Sequence, residues 1–153
     1  MATPKTILLK VNSVSDNYRP TYEALAAETL TPGNLVNFAS TGKLTHFANT
    51  ARWQGMLVVE SEYAAESASV SAIDDTYAAD ERTFYVIPQR GDEAYLIVAD
   101  GEDIAVGDLL VPGNDTGTLV ERTTEALELV VAVALEAVAP SGSTGRVRAR
   151  FVF

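Results

Sequence analysis

The sequence predicts an all-β fold, a small barrel, from three observations. Turn residues recur at short intervals, the stretches between them are short and rich in β-branched and aromatic residues, and the chain ends in a strictly alternating segment. Asn, Asp and Gly supply the turn conformations, and Pro presets φ, at Thr31-Pro-Gly-Asn34, Thr41-Gly42, Arg90-Gly-Asp92, Asp100-Gly101, Gly107-Asp108, Pro112-Gly-Asn-Asp115 and Ser141-Gly-Ser143.

Taken in order, residues 1–20 hold a single apolar cluster, Ile7-Leu8-Leu9, and close on Arg19-Pro20. They read as an extended N-terminal arm that becomes ordered on a partner; an ordinary first strand over Thr6 to Val11 is the other reading. Residues 21–153 form the barrel-like domain. Its strands are expected at Leu35 to Phe38, Leu44 to Phe47, Met56 to Glu60, Thr83 to Ile87, Tyr95 to Ala99, Leu109 to Val111 and Thr118 to Glu121. About residues 60–82 the chain turns acidic and rich in Ala and Ser, an excursion outside the barrel whose stretch Glu62 to Ser69 has the makings of a short helix. Leu127 to Val138 is apolar on nearly every side, which periodicity does not assign. Val130, Val131 and Val133 argue for strand, and Pro140 ends the element. In the last eight residues, Arg146, Arg148 and Arg150 point to one face and Val147, Ala149 and Phe151 to the other, as in a half-buried strand. Leu30-Thr-Pro-Gly33-Asn34-Leu35-Val36 is echoed by Ile104-Ala-Val-Gly107-Asp108-Leu109-Leu110, one turn-into-strand device used twice, which alone does not make a repeat protein.

A chain of 153 residues without cysteine relies on packing or on association, with no disulfide, thiolate metal site or cysteine nucleophile. No apolar run reaches the roughly 20 residues of a membrane span, and the N-terminus lacks the basic-then-apolar order of a secretory signal. Net charge is −10, unevenly spread: residues 53–128 hold 17 acidic against three basic side chains, whereas both ends are mildly basic. An acidic middle argues against nucleic-acid binding, which needs Lys and Arg to displace counterions. Basic ends that dock on a partner under an acidic, solvated middle fit the distribution, as does a simple solubilising surface.

Site chemistry is sparse. His46 is the single histidine, no Gly-x-Ser-x-Gly elbow occurs, and Ser40-Thr-Gly42-Lys43 lacks the upstream glycine spacing of a phosphate loop. Asp100-Gly-Glu102-Asp103 lacks the spacing of a calcium loop. Arg90-Gly91-Asp92 reads as a turn. We expect no catalytic residue, no cofactor and no metal. Trp53, with Phe47 and Tyr63 around it, suits a core, a protein interface or a sugar.

Ile104 to Leu110, Gly117-Thr-Leu119, Val131-Ala-Val-Ala-Leu-Glu136-Ala137 and Arg146 to Phe153 follow one another in an order that resembles the C-terminal half of small tailed-bacteriophage capsid decoration (cement) proteins. The resemblance covers roughly two-thirds of the chain on mostly turn and core residues, and patterns of that kind carry fold better than function. It implies a β-tulip-like module, a strand within Leu127 to Val138, and a non-enzymatic structural role. The protein would bind the outer surface of the expanded head as a homotrimer and stabilise contacts between major capsid proteins. It would be made in the bacterial cytoplasm and end on the virion, without nucleic-acid or membrane partners. The partner-contacting residues expected on this reading are Lys5, Ile7, Leu8, Leu9, Lys10 and Arg19 of the arm, with Trp53, Arg146, Arg148 and Arg150. The alternatives are a carbohydrate- or receptor-binding appendage of a phage particle built on Trp53, and a small β-barrel hydrolase or lyase using His46 and a carboxylate.

Overall fold

The computed structural model describes residues 6–10, 19–47, 53–61, 71–113, 116–123 and 129–153, and the fold is all-β. Among the described residues eleven strands run in chain order: β1 (Leu8–Lys10), β2 (Tyr22–Leu25), β3 (Leu35–Phe38), β4 (Leu44–His46), β5 (Met56–Val58), β6 (Arg82–Val86), β7 (Glu93–Val98), β8 (Leu109–Pro112), β9 (Leu119–Glu121), β10 (Ala132–Ala134) and β11 (Gly145–Phe151). A single 3-10 turn, Ala72–Asp74, interrupts them among the described residues.

The strands form two sheets of the same design. In one, β7, β11, β10, β8 and β9 are neighbours in that order, and a parallel pairing of Val98 with Leu119 joins β9 back to β7 and closes a five-stranded barrel. In the other, β2, β6, β5, β3 and β4 follow the same order, and a parallel bridge from Ala26 to Leu44 returns β4 to the end of β2. The registers coincide. Tyr22 pairs with Tyr85 as Ala94 pairs with Ala149, and Val36 pairs with His46 as Leu110 pairs with Glu121. Leu57 pairs with Leu35 and Val86 as Val133 pairs with Leu109 and Arg150. Outside the strands, Leu30 bridges Tyr77 where Ile104 bridges Val138. Residues 22–86 and 93–151 are therefore two tandem copies of one fold unit, and the region read from sequence as a single barrel holds both.

The echo between Leu30 and Ile104 is the local signature of this duplication. In each copy a glycine with positive φ (Gly33 at 99°, Gly107 at 95°) precedes an Asn or Asp that leads into a strand. The side chain of that residue accepts the N–H three positions earlier, Thr31 to Asn34 at 2.8 Å and Ala105 to Asp108 at 2.7 Å. Gln89 to Asp92, at 2.9 Å, repeats the device ahead of β7. Arg90-Gly91-Asp92 is thus a turn whose aspartate is fully buried.

Inside the closed barrel the inward positions are small: Ala94, Ala132, Ala134 and Ala149 leave room for Leu96, Leu110, Leu119, Val147 and Phe151 in a narrow ring. The first copy distributes volume differently. Tyr85 stands where the second has Ala149, and Ala24 where it has Leu96. The buried residues of both copies form one hydrophobic core, and fully burying one side chain such as Phe151 contributes about 2–3 kcal/mol. Val131, Ala132 and Ala134 are all buried, which is why Leu127 to Val138 shows no clean periodicity; Ala132–Ala134 is a strand. Within 1–20, Leu8–Lys10 pairs with β7 and Ile7 is fully buried. The stretch Glu62 to Ser69 lies outside the described residues.

Candidate functional site

The two copies meet at Gly33. Its carbonyl accepts the Ile97 N–H at 3.4 Å, and a Cβ on Gly33 would stand 2.8 Å from an Arg146 nitrogen and 3.1 Å from the Tyr95 carbonyl oxygen. Only glycine allows this approach, in a backbone conformation that L side chains rarely adopt. Beside it opens a hollow of about 510 Å³ lined by both copies, with Thr29, Thr31, Asn34, His46 and Asp74 from the first and Ile97, Thr116, Thr118, Thr144 and Arg146 from the second.

Arg146 begins β11 and reaches across the hollow. Its guanidinium donates to the carbonyls of Pro32 (2.5 Å) and Ile73 and to the Asp74 carboxylate at 3.3 Å. Burial pushes the Arg146 guanidinium below its ordinary range, and Asp74 works in the opposite sense. Two backbone carbonyls and one carboxylate of the first copy are thereby fastened to the last strand of the second.

His46, at the end of β4, lies on the opposite wall. Its Nδ1 is 3.3 Å from Glu28, and its Nε2 is 3.2 Å from the Asn34 Oδ1. Asn34 is held in that orientation because the same oxygen accepts the Thr31 N–H, while its Nδ2 lies 3.4 Å and 3.5 Å from the carbonyls of Thr116 and Gly117. Both ring nitrogens face acceptors. Glu28 also accepts the Thr45 hydroxyl and the His46 N–H, the latter at 2.9 Å. Burial raises the Glu28 carboxyl, but these hydrogen bonds and the charge of His46 outweigh it and hold the group below the usual carboxylate range. Gly117 packs on the imidazole, since a Cβ there would stand 2.9 Å from the His46 ring.

The residues singled out from the sequence fall in five places. Arg146 belongs to the hollow. Arg148 and Arg150 follow on the same face of β11 and reach Glu93, which is 5% exposed, at 2.6 Å and 3.6 Å; the two arginine side chains are themselves 47% and 49% exposed. Arg19 forms a bidentate pair with buried Asp92, at 2.8 Å and 3.0 Å. Trp53 stacks on Phe151 at 6.2 Å, meets Phe47 and the edge of Phe153, and donates its indole N–H to the Met56 carbonyl. Ile7 is in the core, Leu8 and Leu9 are half-buried, and Lys10 closes β1. Lys5 and Tyr63 lie outside the described residues. The sequence did not single out Glu28, Asn34 or Asp74 for the hollow, nor Asp92 and Glu93 as anchors of the arginines. One signal for Glu28 was present: it stands two residues before Leu30, as Glu102 stands two before Ile104. Among the described residues no cluster of three or more His, Cys, Asp or Glu has the geometry to hold a metal ion, and no helix is long and apolar enough to cross a membrane.

No protein-family model matches the chain, and no curated protein matches it.

Proposed function

We propose that the chain is a structural module of a tailed-phage head, a decoration protein that binds the outer face of the expanded shell and reinforces contacts between major capsid proteins. The reading rests first on the resemblance of Ile104 to Leu110, Val131 to Ala137 and Arg146 to Phe153 to that family. The observation that carries it furthest is the state of the polar groups between the two copies. Arg146, Asp74, His46, Glu28 and Asn34 are each engaged by another part of the chain, so the polar hollow between the copies is built as a joint. A jointed block transmits load between two surfaces, and many copies acting in parallel turn modest affinities into firm attachment. Arg148 and Arg150, held by Glu93 and half-exposed, are the cationic surface for that attachment, consistent with basic ends and an acidic middle. Trimers on the shell are part of the same proposal. The test is particle stability: undecorated expanded heads of the source phage, heated with and without the purified protein, should release DNA at a higher temperature when it is present. Equal release temperatures would speak against reinforcement.

One observation favours a second reading. His46 lines a hollow open to solvent and has Glu28 at 3.3 Å, the pairing a hydrolase or lyase would use. Against it, the His46 nitrogens are both committed to acceptors within the chain. Turnover of an ester or glycoside panel that His46→Ala abolishes, with the fold intact, would decide for the enzyme.

A further inference from the structure

Among the described residues, the duplication shows one edge that the second copy covers and the first leaves open. On β7 the edge opposite β11 is shared: its far end joins β9, and its near end takes β1, where Leu8 pairs with Ala94 and Ile7 accepts the Tyr95 N–H at 2.8 Å. The equivalent strand, β2, joins β4 at its far end through Ala26. Its near end has no strand beside it among the described residues. There the register places the Glu23 N–H where β7 has the Tyr95 N–H, pointing away from β6. The side chains along this edge are exposed, Tyr22 at 42% and Leu25 at 47%, and Tyr22 and Phe38 flank Tyr85 as an aromatic group at the same end of the sheet. An unpaired backbone edge beside exposed apolar side chains is what strand addition uses.

We infer that the near edge of β2 (Thr21 to Leu25) is a docking site for an extended segment of another polypeptide, added antiparallel as β1 is added to β7. The chemistry of the occupant follows in part from β1, aliphatic side chains on a short extended backbone, and the exposed Glu23 carboxylate favours a basic residue within it. The chain's own segment of that kind is consumed on β7, where Ile7 is 0% exposed. Two β2 edges brought together would crowd the Glu23 carboxylates of both copies on a four-residue strand, so a second copy is disfavoured. The inference stands on the repeat and does not rest on the capsid reading.

A fluorescein-labelled peptide with the sequence of residues 5–11 serves as probe for the full-length protein, read by anisotropy and by hydrogen exchange. Saturable binding that protects the Glu23 amide and leaves Tyr95 unchanged is the expected result. Glu23→Pro removes the outward N–H together with the carboxylate and its pair with Arg82, and proline is tolerated on an edge; it should weaken binding at least tenfold and by more than Glu23→Gln, which keeps the N–H, with unchanged exchange in β7 as the control for folding. Should that variant misfold, Tyr22→Ser should weaken binding by removing the apolar support. Absence of binding at millimolar peptide, protection at Tyr95 in place of Glu23, or self-association abolished by Glu23→Pro would each overturn the assignment.

Discussion

Glu28 and Glu102 hold the same post in the two copies: Glu28 accepts the backbone N–H of His46 at 2.9 Å, and Glu102 that of Glu121 at 2.8 Å. His46 and Glu121 are themselves register equivalents at the ends of β4 and β9. Each carboxylate pins the end of the third strand of its unit. The first copy adds the imidazole, turning a strand pin into one wall of the joint.

Glu28→Gln should destabilise the protein by about 1 kcal/mol at pH 7, a hydrogen bond to a partly exposed charge. Because the Glu28 carboxyl is held below the usual carboxylate range, its contribution is full above the unfolded value of about 4.3 and is lost as pH falls through the folded one. Urea unfolding of both proteins at pH 7 and pH 3 should therefore show a difference at pH 7 that shrinks at pH 3. A difference that grew on acidification would contradict the assignment.

Arg146→Met should cost about 2–4 kcal/mol, since the carbonyls of Pro32 and Ile73 and the Asp74 carboxylate lose a shared charged donor between the two copies. Arg146→Lys should recover only part of this, because an ammonium does not reproduce the planar fork. Denaturant midpoints of the two variants provide the comparison.

Gly33→Ala and Gly107→Ala form a matched pair. Both place a Cβ at a φ near 95–99°, a strain of about 1 kcal/mol each. Nothing lies within 4 Å of a Cβ at Gly107, whereas at Gly33 it strikes Arg146, Ile97 and the Tyr95 carbonyl. Gly33→Ala should accordingly lower the melting temperature well beyond Gly107→Ala, and equal shifts would remove the close approach from the account.

Much of the fold was legible in the residues. The alternation from Arg146 to Phe151 gave β11 directly, because one face of that strand is buried and the other is not. The Gly-Asn and Gly-Asp turns marked β3 and β8, since positive φ at glycine and an Asn or Asp side chain that accepts a nearby N–H are local requirements. Of the duplication only the echo between Leu30 to Val36 and Ile104 to Leu110 was legible. Equivalent positions such as Tyr85 and Ala149, or Ala24 and Leu96, trade volume between units, so the copies agree in backbone register while their side chains diverge. The hollow was still less visible, because Asn34, Asp74 and Arg146 converge from three separated segments and only the docking of the two copies brings them together. Trp53 shows the same limit. Its aromatic neighbours Phe151 and Phe153 are the last residues of the chain, far from it in sequence.

If Arg148 and Arg150 are the attachment surface, Arg148→Glu combined with Arg150→Glu should abolish shell binding at a salt concentration where the unaltered protein binds. Glu93 then faces like charges, so the thermal stability of the double variant is the control for folding. Binding undiminished by the double reversal would move the attachment surface elsewhere.

The claim on which the account turns is attachment to the shell, and co-sedimentation measures it most directly. On the proposed function, purified protein mixed with undecorated expanded shells of a tailed phage should pellet with them in a fixed, saturable ratio to the major capsid protein, over a range of salt. Protein that stays in the supernatant at every salt concentration, with shells that bind an authentic decoration protein in parallel, would contradict it.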